Sequence, residues 1–123
     1  MKQYCFSYLL GNGDLHAKNV SLLQKNGSSF IELSPAYDII TTSIYKDYKM
    51  AIKINGHDDN IKLKTILDFG LHYGIPEKAT RLMISKLIAN FEKNLKLLEN
   101  IPMPEKTLDK QYNLMQKRIN HLI

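Results

Sequence analysis

The chain has 123 residues and a mass of 14.2 kDa, enough for one modest core and too little for two independent ones. Its 44 % hydrophobic and 24 % charged residues exclude the disordered and low-complexity classes, and its single cysteine excludes an internal disulfide or a cysteine-built zinc site. A net charge of +5 favours acidic partners, while the lack of any membrane-length apolar run or signal-peptide pattern makes a cytoplasmic protein with no membrane partner the expectation.

Residues 2–10, KQYCFSYLL, place Tyr4, Cys5, Tyr8 and Leu9 at helical intervals, and Gly11 stands where a helix stops. No polar cap or acidic first turn precedes them, so the segment reads as the last turns of a helix, with Cys5 a buried thiol. The polar stretch GNGDLHAKN follows at 11–19. VSLL and SFIEL then alternate around an Asn-Gly turn signal, predicting a tight β-hairpin over 20–33. Ser34-Pro35 breaks the strand, and the alternation over 48–54 predicts a third short strand or extended segment.

From Asn60 the period changes to that of a helix. Leu63, Ile66, Leu67 and Leu71 share a face, closed by Gly74 and Pro76. Two more helices follow, one with the stripe Ile84, Leu87, Ile88, Phe91, Leu95 and Leu98, the other with Leu108, Tyr112, Met115, Ile119 and Leu122. They are separated by IPMPE and are predicted to pack antiparallel. Nine basic against five acidic residues from Glu77 onward concentrate the charge in the last third, as expected of solvated helix faces. The order is α+β, predominantly helical, in one domain over 1–123.

Phosphoryl transfer from ATP needs a carboxylate to orient the attacking hydroxyl and accept its proton, and oxygen ligands to hold Mg²⁺ against the phosphates. Asp14, Asn19 five residues later and Asp38 further on have the order that protein kinases use. A five-residue loop can turn the Asp toward substrate and the Asn toward metal, and a hairpin can return the chain with the second Asp. Asp and Asn beside Gly are also ordinary turn residues, so this spacing alone decides little.

Three ordered blocks, LLGNGDLHAKNVSLL, ELSPAYDIITT and KMAIKING, resemble the C-terminal part of the HipA-like serine/threonine kinases, bacterial toxins of toxin–antitoxin modules. GDLHAKN is also similar to the GDLHxxN loop of antibiotic and choline phosphotransferases, but SPAYDIITT favours the HipA-like branch. The resemblance implies the C-terminal lobe of a protein-kinase-like fold: helix, catalytic loop, β-hairpin, three helices. It implies Asp14 as catalytic aspartate, Asn19 and Asp38 as metal-binding residues, and ATP and Mg²⁺ as cofactors. His16 and Lys18 match loop positions that are structural or phosphate-facing; Lys18 is a candidate for the transferring phosphate or a loop brace, and His16 a hydrogen-bonded histidine of the cofactor loop. Asn12 is expected to brace the loop and Tyr37 to pack, while His57, His72 and His121 suggest no role.

The resemblance also implies partners: an N-terminal kinase part or an antitoxin, and a protein substrate such as an aminoacyl-tRNA synthetase. No G-x-G-x-x-G or G-x-x-x-x-G-K-[ST] occurs, and the loop arrives close to Met1. The expectation is therefore a lobe that lacks its nucleotide-gripping part and is inactive as this chain alone. The alternative is a non-catalytic kinase lobe serving as an interaction or regulatory module. A third reading, a basic nucleic-acid binder, rests on charge alone, and with no DNA or RNA motif direct nucleic-acid binding is not expected.

Overall fold

A computed structural model describes Met1–Ile123 and consists mainly of helix. The first helix, α1 (Lys2–Leu10), buries Tyr4, Cys5, Ser7, Tyr8 and Leu9 on more than one side. A helix buried that widely belongs inside a fold rather than on its surface, and α1 is the common neighbour of the two long C-terminal helices. It ends at Gly11, whose left-handed φ of 82° lets its N–H bond the Ser7 and Tyr8 carbonyls while Asn12 N–H takes Ser7 as well. Burial pushes the Cys5 thiol up to about 12, so it remains a neutral core group.

The hairpin comprises β1 (Leu22–Gln24) and β2 (Ile31–Leu33), antiparallel with Leu22 opposite Leu33 and Gln24 opposite Ile31. Its connection, residues 25–30, is longer than the tight turn expected from Asn26-Gly27. Every strand residue is exposed, including Leu22, Leu23, Ile31 and Leu33. Residues 48–54 form no third strand, and this corrects the strand expectation in favour of an extended segment. Their alternation is real, since Met50 and Ile54 are buried, but they have no long partner. Met50 N–H bonds the Asp58 carbonyl, and Ile54 and His57 exchange two bonds across Asn55-Gly56, both at positive φ. That is a two-residue turn of the kind Asn-Gly favours.

Three helices complete the chain: α2 (Leu63–His72), α3 (Glu77–Asn94), continued by a 3₁₀ turn over Leu95–Asn100, and α4 (Glu105–Leu122). On α3 the predicted stripe is buried through Ile84, Leu87, Ile88 and Phe91, with Leu95 and Leu98 packed against the core. On α2, Leu71 is exposed and Gly70 faces inward, because a Cβ there would lie 2.8 Å from Thr80 Oγ1. The backbones of α3 and α4 lie closest to α1 rather than to each other, so α1 replaces the direct pairing expected of them.

The buried face of α4 is rotated from the predicted one. Met115, Ile119 and Leu122 are buried as expected, but Tyr112 is exposed, and Gln111 and Arg118 are inside. Arg118, only 1 % exposed, donates from Nη1 to the Tyr8 carbonyl at 2.5 Å and from Nη2 to the Tyr48 carbonyl at 2.6 Å and Asp59 Oδ1 at 3.1 Å. Its guanidinium also lies 4.3 Å from the centre of the Tyr8 ring, within cation–π range. Gln111 donates to the Leu10 carbonyl at 2.7 Å and accepts from Ser43 Oγ. Two side chains of α4 thus bond carbonyls of the last turn of α1, Gln111 that of Leu10 and Arg118, beside Gly11 N–H, that of Tyr8.

Replacing Arg118 by Ala removes the donor to the Tyr48 carbonyl and Asp59, and leaves the buried Tyr8 carbonyl with Gly11 N–H alone. An expected loss of about 3–5 kcal/mol, read as a shifted urea midpoint, compares with near-neutral change for Lys117→Ala on the exposed face of α4. His121 supplies a pH prediction. Its Nδ1 lies 2.8 Å from the Tyr8 hydroxyl, and burial first, then Lys62 and Lys117, hold its pKa below the ordinary 6.5. The unfolded chain therefore binds this proton more readily, so the stabilisation is complete above about pH 6.5 and is lost as pH falls through the lower folded value. Urea midpoints measured from pH 7.5 downward should fall, and His121→Gln should flatten that slope.

Candidate functional site

The loop that leaves α1 is held from two sides. Asn12 is buried and its Oδ1 accepts the Asp14 N–H at 3.0 Å, a turn closed by a side chain. Gly13 N–H donates to Thr42 Oγ1 at 2.7 Å, and Thr42 Oγ1 donates to the Asp47 carbonyl. The Thr42 and Ser43 N–H groups both bond the Gly11 carbonyl at 3.1 Å. The approach leaves no room for a side chain at Gly13, where a Cβ would stand 2.8 Å from both Asp47 Oδ1 and the Lys49 carbonyl. Asp14, whose side chain is exposed, therefore sits between two buried residues, Gly13 and Leu15.

From Asp14 a line of contacts crosses the loop. His16 Nε2 lies 3.8 Å from Asp14 Oδ1, too far for a hydrogen bond but close enough for an ionic contact. His16 N–H donates to Asn19 Oδ1 at 3.0 Å, and the 3₁₀ turn Ala17–Asn19 brings Asn19 back beneath it. Asn19, 6 % exposed, in turn donates from Nδ2 to Asp38 Oδ2 at 3.0 Å. The hairpin intervenes in sequence between these two residues, and its ends are tied at the Tyr37 hydroxyl, which lies 2.8 Å from the Lys18 carbonyl and 2.6 Å from Ser21 Oγ. Asp38 itself adopts a left-handed backbone, φ 54°, uncommon outside glycine but best tolerated by Asn and Asp.

Asp14, His16, Asn19 and Asp38 are thus brought together, whereas the Lys18 side chain is exposed and has no polar partner. Asn12 braces the loop as expected, and Tyr37 does so through its hydroxyl rather than by packing, its ring being partly exposed. Sequence reasoning missed Thr42, the residue that pins Gly13; a threonine after a Pro-containing segment carries no signal of that contact. His121, to which no role was assigned, is the Tyr8 partner, while His72 meets the Tyr73 ring edge-on at 4.9 Å.

No three of the His, Cys, Asp and Glu side chains cluster as a metal site. Asp38 offers a carboxylate and Asn19 an amide oxygen, hard ligand types suited to Mg²⁺. They meet here through the Asn19 Nδ2–H, 3.0 Å from Asp38 Oδ2, while Asn19 Oδ1 accepts the His16 N–H and keeps a second lone pair. In donor chemistry the two side chains fit the ion, with the Asn19 oxygen rather than its Nδ2 turned toward it. The four principal cavities are lined elsewhere and contain none of Asp14, Asn19 or Asp38.

The fold matches a solved structure of the Shewanella oneidensis MR-1 toxin–antitoxin system, HipA and HipB with operator DNA, at a TM-score of 0.65 and 20 % identity. The match covers 98 % of this chain and 30 % of that one, so the chain spans less than a third of the HipA length. No curated protein matches the sequence. A sequence model described as the HipA-like C-terminal domain matches residues 1–95, which include the whole loop, the hairpin and Asp38. The chain belongs to the HipA-like C-terminal domain family.

Proposed function

We propose that residues 11–19 are the phosphoryl-transfer loop of a HipA-like serine/threonine kinase, with Asp14 orienting the substrate hydroxyl and accepting its proton. The observation that carries this reading is the contact of Asn19 with Asp38 across a 19-residue separation, in the loop that also presents an accessible Asp14. A bound Mg²⁺ would supply charge neutralisation at the phosphates of ATP, held by Asn19 and Asp38. His16 acts as a positioning residue: its N–H fixes the Asn19 amide and its ring flanks Asp14. Lys18, free of any protein partner, has its ammonium available for a phosphate.

The activity belongs in this reading to a longer assembly, because nothing in this chain encloses a nucleotide. An upstream kinase part would supply the phosphate-gripping loop and lysine. HipB accompanies HipA in the matched structure, which makes an antitoxin the first protein partner to try, and the operator DNA there keeps nucleic acid open as a further one. A toxin acting on a translation protein such as an aminoacyl-tRNA synthetase is the substrate class carried over from the family. A second reading, a regulatory module without catalysis, is favoured by the exposure of Asp14 and Asp38 away from the principal cavities.

Labelled ATP mixed with this chain and an upstream polypeptide should yield phosphoprotein, and Asp14→Asn should slow transfer by about 10²- to 10⁴-fold. Labelling undiminished by that substitution would refute the assignment. Calorimetry separates the second reading: metal-dependent ATP binding by this chain alone, lost in Asp38→Asn, would exclude a purely regulatory role.

A further inference from the structure

A groove lies between α1, α3, the 3₁₀ turn Leu95–Asn100 and α4. One part is an apolar slot of about 330 Å³ lined by Phe6, Leu10, Phe91, Leu97, Ile101 and Met115. Beside it, sharing Leu95 and Leu98 as a common wall, is a cleft of about 550 Å³ bordered by Glu92, Glu99, Glu105 and Asp109. Lys96 is the one base in that lining, and it forms no ion pair with them.

The charge arrangement says what would cover this surface. Six of the twelve carboxylates in the chain have no ion-pair partner, and four of those six line this one cleft. In a chain of net charge +5 the cleft is a local reversal of sign, and uncompensated like charges set close together favour a cationic ligand. Leu97 and Ile101 stand exposed at 61 % and 42 % on the apolar side. The acidic and apolar strips are adjacent and share a wall, the complement of a helix that carries apolar side chains at i, i+3, i+4 and i+7 and cations along one flank.

We propose that this groove docks a basic amphipathic helix of a partner protein, its apolar residues in the slot and its Lys or Arg residues over Glu92, Glu99, Glu105 and Asp109. The inference does not rest on the phosphotransfer reading, since none of the loop residues takes part.

The test uses the full chain and two fluorescein-labelled synthetic peptides of about 15–20 residues. Both carry leucine at the helical anchor positions, one with lysines on the flanks and one with glutamates. Anisotropy titration at low salt should show the lysine peptide binding about tenfold or more tightly than the glutamate peptide, with affinity falling as salt is raised. The double variant Glu99→Lys, Asp109→Lys and, separately, Leu97→Ser should each weaken binding about tenfold with unchanged circular dichroism melting. No saturable binding, equal affinity for the two peptides, or full affinity in either folded variant would overturn the proposal. So would sedimentation showing a dimer that Leu97→Ser dissociates, because the occupant would then be a second copy. Should a variant fail to fold, a photo-crosslinking lysine peptide on the unaltered chain decides: attachment at Phe6–Leu10 or within residues 87–116 supports the groove, and attachment elsewhere refutes it.

Discussion

Arg118 carries a full charge into the core, and the groups that receive it explain why distant parts of the chain must fold as one unit. A guanidinium removed from water is costly unless its donors are matched. Here the partners are the Tyr8 carbonyl from the last turn of α1, the Tyr48 carbonyl from the irregular segment, and the Asp59 carboxylate before α2. The negative end of the α1 dipole adds to the attraction. Gln111, two turns earlier on α4, takes the next open carbonyl at Leu10. One helix thereby acts as the C-terminal cap of another, and the direction in which the chain leaves α1 is set by residues about a hundred positions away.

That direction matters because the loop begins at once. Gly11 closes α1, accepts the Thr42 and Ser43 amides, and hands on to Asn12 and Gly13. Ser43 bonds Gln111, so the segment that pins the loop is itself pinned to α4. The loop, the hairpin and Asp38 lie within the family-matched residues 1–95, whereas Gln111 and Arg118 lie beyond them. The loop of this family member is therefore supported by a helix outside the matched segment, although the structural match to HipA extends over nearly the whole chain.

The legible parts of the sequence were those where polarity and burial agree. α1 and α3 follow their stripes because their inward residues are apolar, and the order of hairpin and helices follows from turn signals and period. α4 was misread because Gln111 and Arg118 occupy inward positions while Tyr112 is outside, and a polar residue whose partners are backbone carbonyls gives no sign of them in the sequence. Gly70 in place of Leu71 reflects the close approach of Thr80, a tertiary constraint that no period reveals. At the site, the D-x₄-N spacing was weak, and three ordered blocks gave it meaning. The left-handed Asp38 and the Thr42 clamp depended on packing and were not readable beforehand.

The capping of α1 by α4 also has a consequence in time. During synthesis α1 precedes α4, and its Tyr8 carbonyl awaits a second donor added 110 positions later. At roughly 5–20 residues per second, the ribosome takes about 5–20 s to supply it. Through that interval the exit from α1 has the Gly11 turn but not its α4 anchor, so the loop of Asp14 and Asn19 gains that support only after α4 has been made.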